Sequence, residues 1–252
     1  MYGYLNAVVI NSFDLGETDR VYVVFSDILG RLSLIQRRGG LIKNPNSGVL
    51  NNFNLVRIFI SREGNALNFY IKETELLDDF TKIKDSFEKF FYTGYILYVL
   101  NSIFKESSEE EGLYKLLIRL MKIIDGKTDL DLAFLKDVFL WKLSGILGYL
   151  PRLENCSVCS RELKEPPRTF SVSSGGLVCK DCLNTVPVAR TLSQGSLNFI
   201  RRIFNTGINS LTSLRYTALA EKELSGLSEE YLRYYSDRDL QNSSIFLNGI
   251  KV

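Results

Sequence analysis

Histidine is absent from all 252 residues of the chain. That absence removes the commonest general base, the Ser-His-Asp and Cys-His nucleophile systems, the HExxH zinc site and every mixed Cys/His finger. Long apolar runs are missing as well, none approaching the roughly 20 residues needed to cross a membrane. The opening MYGYLNAVVINSFD has no basic region ahead of an apolar one, so a cleaved export signal is not expected. The expected compartment is then the reducing cytoplasm, which weighs against structural disulfides. Net charge is small, at +2, so any footprint of nucleic-acid binding must be a local patch. The composition, 45% hydrophobic and 24% charged, is that of an ordinary globular protein with room for one large or two modest domains. Carboxylate or lysine chemistry stays open, but no constellation of such residues stands out. No catalytic residue is assigned.

The first part of the chain reads as strands. LNAVVINSF, DRVYVVFSD, GRLSLIQRR, FNLVRIFISR and LNFYIKETEL are rich in β-branched and aromatic residues and are separated by Gly, Asn and Pro breakers. Short strands so closely spaced predict a small closed barrel of OB or SH3-like type, because closure removes exposed edges; a half-sandwich is the runner-up. After Asp79 the period changes to three and four, predicting a helix from about Ile83 to Phe104. GLYKLLIRLMKIID and DLDLAFLKDVFLWKLSGILGYL follow as further helices, with Ser107 or Ser108 a candidate cap ahead of the first. Helices resume at about Ser193 to Phe204 and from Leu211 to Tyr235. The aromatics Phe87, Phe90, Phe91, Tyr95, Phe134, Phe139 and Trp141 read as core. The ending DRDLQNSSIFLNGIKV has weak periodicity and is expected to be loosely held.

Only four cysteines occur, and they form two Cys-x-x-Cys pairs: Cys156 with Cys159 and Cys179 with Cys182. This is the spacing of a closed four-thiolate zinc ribbon or knuckle. Each Cys-x-x-Cys turn can aim its sulfurs at one ion, and the residues between form a hairpin that brings the second pair opposite. Gly175-Gly176 supplies permissive backbone before the second turn, while Arg161, Arg168 and Lys180 offset part of the thiolate charge. A redox pair is disfavoured because no βαβ unit precedes it, and disulfides because the compartment is reducing. An iron–sulfur cluster takes the same ligands and stays open beside zinc. Zinc in such a closed site would be structural, and a zinc knuckle alone says little about function.

Two sets of basic residues are candidate binding groups. In the barrel these are Arg31, Arg37, Arg38, Lys43, Arg57 and Arg62, a strand-and-loop set able to track a phosphate backbone. The bland reading is a solvated surface, since acidic residues nearly balance them. In the helical part Lys115, Arg119 and Lys122 recur along one helix face beside Leu116, Leu117, Leu120 and Ile124. They are placed to hold an acidic peptide tail, or to serve merely as the solvent side of an amphipathic helix.

The arrangement resembles the RecO family of bacterial recombination mediators. The lead Gly148-Tyr149-Leu150-Pro151-Arg152-Leu153 into Cys156 and Cys159 matches that family's G-Y-x-P-x-L-x-x-C-x-x-C, and Phe170-Ser171, Gly175-Gly176 and Cys179/Cys182 continue it. Upstream, Gly16-Glu17-Thr18-Asp19 is similar to its G-E-x-D turn, Gly30-Arg31 to its G-K, and Leu113-Tyr114-Lys115-Leu116-Leu117 to its L-F-x-x-L helix. The resemblance runs from Tyr4 to about Phe204. It implies an OB-fold barrel over residues 1–79 and an α-helical domain over 80–252, with a zinc knuckle inserted at 149–187. It further implies a non-enzymatic, nucleoid-associated protein that binds single- and double-stranded DNA and anneals complementary strands. Its implied partners are RecR and the acidic C-terminal tail of single-strand-binding protein, in loading recombinase onto coated DNA. One departure is plain: where the family often carries K-G-A-R-R, this chain has Arg38-Gly39-Gly40-Leu41-Ile42 before Lys43. A protein-interaction scaffold whose barrel does not touch DNA is the alternative reading.

Overall fold

A computed structural model describes residues 2–41, 46, 48–62, 68–104, 111–128, 131–163 and 169–236. Lys43, Arg168, the Ser107/Ser108 cap and the segment from 237 onward lie outside the described residues. By packing, the chain forms two compact units, one running to Thr128 and the other beginning at Asp129.

In the first unit, strands β1 (Tyr2–Leu15), β2 (Asp19–Ser26), β3 (Gly30–Gln36), β4 (Leu55–Arg62) and β5 (Phe69–Asp78) close a barrel in the order β1-β2-β3-β5-β4. All five expected strands are present, within a few residues at their ends. β1 serves on both sides of the closure. Its first half pairs with β4, from Tyr2 opposite Ser61 to Val8 opposite Leu55, and its second half with β2, ending at Leu15 opposite Asp19. A bulge between Val9 and Asn11 lets the long strand turn from one neighbour to the other. A short parallel contact of Leu34 and Ile35 with Phe69 and Tyr70 seals β3 to β5. Strand alternation sends Leu5, Ala7, Val9, Tyr22, Val24, Leu32, Leu34, Val56, Ile58 and Ile60 inward as one buried core. Each such aliphatic side chain contributes about 1.5–3 kcal/mol by leaving water. This is the OB-type barrel expected from the sequence.

Helices α1 (Thr81–Lys84), α2 (Phe87–Ile103) and α3 (Glu111–Gly126) complete this unit. The single helix expected over 83–104 breaks at Asp85-Ser86, because Ser86 turns extended and its hydroxyl accepts from the Lys89 N–H as an N-cap. Phe87 and Phe90, read from the sequence as core, are 75% and 45% exposed. α2 is apolar on every side, so its period did not tell which aromatics face inward. Lys89 reaches the far end of α3 and donates to the carbonyls of Asp125 and Lys127, satisfying acceptors the helix leaves open.

In the second unit α4 (Leu132–Ile146) is buried almost all round and central. Asp131 caps it, accepting from the Phe134 N–H at 2.8 Å. The knuckle follows, with a small sheet of β6 (Thr169–Ser171), β7 (Gly176–Leu177) and β8 (Arg190–Thr191) in the order β7-β6-β8. Then come α5 (Gln194–Asn205), α6 (Ala218–Leu224) and α7 (Leu227–Ser236). The continuous helix expected over 211–235 is a correction. A 3-10 turn occupies Ile208–Ser213, and Gly226 at φ 72 separates α6 from α7, a left-handed stop natural for glycine. Apolar spacing persisted across that stop and concealed it.

Candidate functional site

Backbone pairing holds the segments that carry the knuckle's cysteines side by side. Arg152 N–H donates to the Gly175 carbonyl at 2.8 Å, and Leu177 N–H donates back to the Arg152 carbonyl at 2.9 Å. Gly175 and Gly176 take φ values of 75 and 154, so the permissive backbone read from the sequence is used at both. In the first cysteine turn Ser160 N–H donates to the Cys156 carbonyl at 2.9 Å and Ser160 adopts φ 59. In the second, Cys182 N–H donates to the Cys179 carbonyl at 3.1 Å within a 3-10 turn, Lys180–Thr185. The strands between bring the turns face to face.

All four sulfurs then lie within 4.8 Å of one another. A tetrahedral thiolate site with metal–sulfur bonds of about 2.3 Å has edges of about 3.8 Å. The Cys159 and Cys179 sulfurs stand 3.8 Å apart, and no pair is bonded as a disulfide. Cys156 is buried, Cys179 and Cys182 are half-buried, and Cys159 is exposed. Burial opposes ionisation of Cys156, but backbone N–H groups of Cys159, Cys179 and Val158 outweigh it and bring its thiol down to about 6. The Cys182 thiol moves the other way, pushed up to about 12 by its hydrogen bond with Cys179 and by burial. So many thiolates cannot crowd together uncompensated, and a cation held among them would supply the missing charge. Distances and charge both fit a metal ion held by Cys156, Cys159, Cys179 and Cys182. Outside the cluster, Arg161 spans the turns in an ion pair with Asp181 at 2.8 Å.

α7 clasps the knuckle. Phe170 on β6 packs against Tyr231, with centroids 6.0 Å apart, and Tyr231 packs against Trp141 at 5.1 Å. Tyr235 hydroxyl donates to the Val172 carbonyl at 2.9 Å. Trp141 takes part through Tyr231, whereas the Phe199 ring meets Phe134 and Tyr216. α5 makes its link by Arg201, whose Nη2 donates to the Leu153 carbonyl at 2.6 Å. A groove of about 510 Å³ runs there, lined by Leu150, Arg152, Glu154, Arg201 and Phe204 among others.

The barrel's basic residues are dispersed. Arg37 lies over the Tyr70 ring at 4.8 Å, and Arg62 over the neighbouring Phe69 at 5.4 Å. Arg38 is exposed in the turn after β3, at φ 56, with its N–H donating to Asp19. Because β3 ends, β4 ends and β5 begins at one place, Arg37, Arg38 and Arg62 share one rim of the barrel. Arg57 is elsewhere, mid-strand on β4 and ion-paired with Glu75 at 3.1 Å. Arg31, at the opposite end of β3, donates from Nε to Asn101 of α2 at 2.9 Å. Nearby, Phe104 packs edge-on against Phe25, so the outer side of β2 and β3 is partly covered by α2. On α3, Lys115 and Lys122 are exposed and Arg119 half-buried, beside the buried Leu116, Leu117, Leu120 and Ile124.

One buried cluster gave no sequence signal. Lys136 and Asp137, each 6% exposed, sit side by side in α4. Asp137 accepts from Ser228 at 2.6 Å and Tyr216 at 3.0 Å, and Lys136 pairs with both Asp137 and Glu229. Burial alone would strip the lysine charge, but Asp137 and Glu229 hold its pKa above the ordinary value. Adjacent opposite charges in a helix usually read as surface, so nothing in the pattern marked them.

An OB-type barrel followed in the chain by a helical unit that carries a four-cysteine knuckle is a recognisable class of architecture. Two family models match the chain: the recombination protein O N-terminal region over residues 3–80 and its C-terminal region over 84–244. The chain belongs to the RecO family of DNA repair proteins. It is 26% identical over 240 residues to DNA repair protein RecO of Desulforamulus reducens, covering 95% of this chain and 91% of that one. It is 26% identical to the protein of that name from a Thermoanaerobacter species, covering 97% and 96%, and 27% identical to that of Mycoplasma mycoides, covering 92% and 91%. No helix among the described residues is long and apolar enough to cross a membrane.

Proposed function

We propose that this chain is a non-enzymatic recombination mediator that binds single- and double-stranded DNA, anneals complementary strands, and helps load recombinase together with RecR. The observation that carries this reading is the grouping of Arg37, Arg38 and Arg62 around Tyr70 and Phe69 at one barrel rim. Closed barrels of this type bind oligonucleotides with loops at such rims, combining phosphate-neutralising cations with aromatic faces. Cations that neutralise phosphates on two strands lower the repulsion between them and let base pairing proceed. With α2 over part of the β2–β3 face, the rim carries the contact, and RecR supplies further surface. The exposed Lys115 and Lys122 on α3, with Arg119 between them, hold the acidic tail of single-strand-binding protein by charge. In the knuckle the metal is zinc, which suits a closed set of cysteine thiolates and there has a structural part only. The test is strand annealing by Arg37→Glu/Arg38→Glu: unchanged annealing rejects the rim.

The second reading, an interaction scaffold with a purely structural barrel, draws on Arg57 and Arg31 being engaged by Glu75 and Asn101. An electrophoretic shift with single-stranded DNA at low and moderate salt separates the two. No shift in either condition, with or without RecR, favours the scaffold.

A further inference from the structure

The four sulfurs of the knuckle are not equally reachable. Cys156 is fully enclosed, with the Cys179 N–H donating to its sulfur at 3.4 Å, whereas Cys159 lies at the surface. Across the cluster, Cys159 meets Cys179 from the opposite turn at 3.8 Å, and the ion pair of Arg161 with Asp181 ties those same turns together. Arg161 lies close enough to feel the charge of both Cys159 and Cys179. A cation beside a surface thiolate favours attack on an oxidant there.

We infer that the knuckle is a peroxide-responsive clasp, in which oxidation joins Cys159 to Cys179 across the two turns and expels the metal. This inference rests on the zinc reading above. The Cys159 thiolate attacks a peroxide oxygen, breaking the O–O bond, and becomes a sulfenic acid as hydroxide leaves. The Cys179 thiolate then attacks that sulfur, forming the S–S bond and releasing a second hydroxide. Overall, two thiolates, one hydrogen peroxide and two protons give one disulfide and two waters; sulfur is oxidised and peroxide reduced. Only Cys156 and Cys182 then remain as ligands, too few to retain zinc in a closed site. The turns stay joined, by a covalent bond in place of the ion, and a dithiol reductant with added zinc restores the original state. Within-turn pairing, Cys156 with Cys159, would have to draw the enclosed sulfur outward and away from the Cys179 N–H.

The test uses the purified full-length chain. Metal content is measured first, and hydrogen peroxide is then titrated in the presence of a zinc-binding dye. Free thiols are blocked and tryptic peptides sequenced by mass spectrometry. Cleavage after Arg161 and Lys180 places Cys156 and Cys159 on one peptide, Cys179 on another and Cys182 on a third. The expected result is stoichiometric zinc loss, with the Cys179 peptide linked through Cys159 and the linkage removed by dithiothreitol. Arg161→Ala, outside the ligand set, should slow the loss without lowering the initial zinc content. Zinc retained under peroxide that oxidises the methionines overturns the inference, as does zinc lost with Cys156–Cys159 or any other pairing. Protein purified without zinc overturns the zinc reading itself, and the clasp with it.

Discussion

Gly176 and Arg152 approach so closely that a Cβ on Gly176 would lie 2.2 Å from the Arg152 carbonyl oxygen. Both atoms at fault would be backbone-anchored, so neither can swing aside. Gly176→Ala is therefore expected to cost about 3 kcal/mol or more, from the strained φ and the clash together. Gly148→Ala is the control: its φ is 85 but nothing lies within 4 Å of the new Cβ. That variant should lose only about 1 kcal/mol. Denaturant unfolding of the two, with metal content measured alongside, checks the contrast.

Asp137 is held by Ser228, Tyr216 and Lys136 inside the second unit. Asp137→Ala takes one of the two carboxylates from the buried Lys136 and leaves Ser228 and Tyr216 without their acceptor, and should destabilise the protein by about 3–5 kcal/mol. Lys136→Met leaves Asp137 and Glu229 facing each other and should cost a similar amount. A double-mutant cycle on the pair tests whether they act as a unit; additive losses would mean they do not.

Arg31 and the rim should behave oppositely. Arg31→Ala removes a hydrogen bond to Asn101 and should cost about 1 kcal/mol of stability while leaving DNA affinity within twofold or so. Arg37→Glu/Arg38→Glu should leave the fold intact and weaken DNA binding, with a shallower dependence of affinity on salt. Fluorescence titrations at several salt concentrations, beside thermal melts, read both effects.

Metal retention should depend on pH with a definite sign. Ligation needs thiolates, and the Cys156 thiol, ordinarily near 9, is brought down to about 6. In the metal-free knuckle its folded pKa lies below its unfolded one, so its contribution to stability is present at high pH and lost as pH falls through about 6. A metal held there should be retained at neutral pH and released on acidification, as protons compete for the thiolates, followed by a metal-sensitive dye. Removing it with a chelator should loosen the knuckle from α7, seen as a change in fluorescence of Trp141, which packs on Tyr231.

The barrel was legible because alternation writes each strand's inward face into the sequence: Leu32 and Leu34, two apart, point into the same core. The cysteine cluster was legible because ligand chemistry fixes both residue type and spacing. The helical part was less so. Gly226 ends a helix whose apolar spacing runs on, and in α2 the exposed Phe87 and Phe90 look no different from the buried Tyr95.

By itself the sequence determined the closed barrel, the four-thiol knuckle and the family, since each rests on local periodicity or on spacing along the chain. Only the tertiary structure decided which cations stand together. Arg31, Arg37 and Arg57 look alike as residues on or beside strands, yet Asn101 takes the first, Tyr70 receives the second and Glu75 pairs with the third. The same holds for Lys136 and Asp137, whose burial depends on Tyr216, Ser228 and Glu229 arriving from far along the chain. A side chain's partner is set by which distant residues the fold brings within a few ångströms, and charge interactions change steeply over that distance.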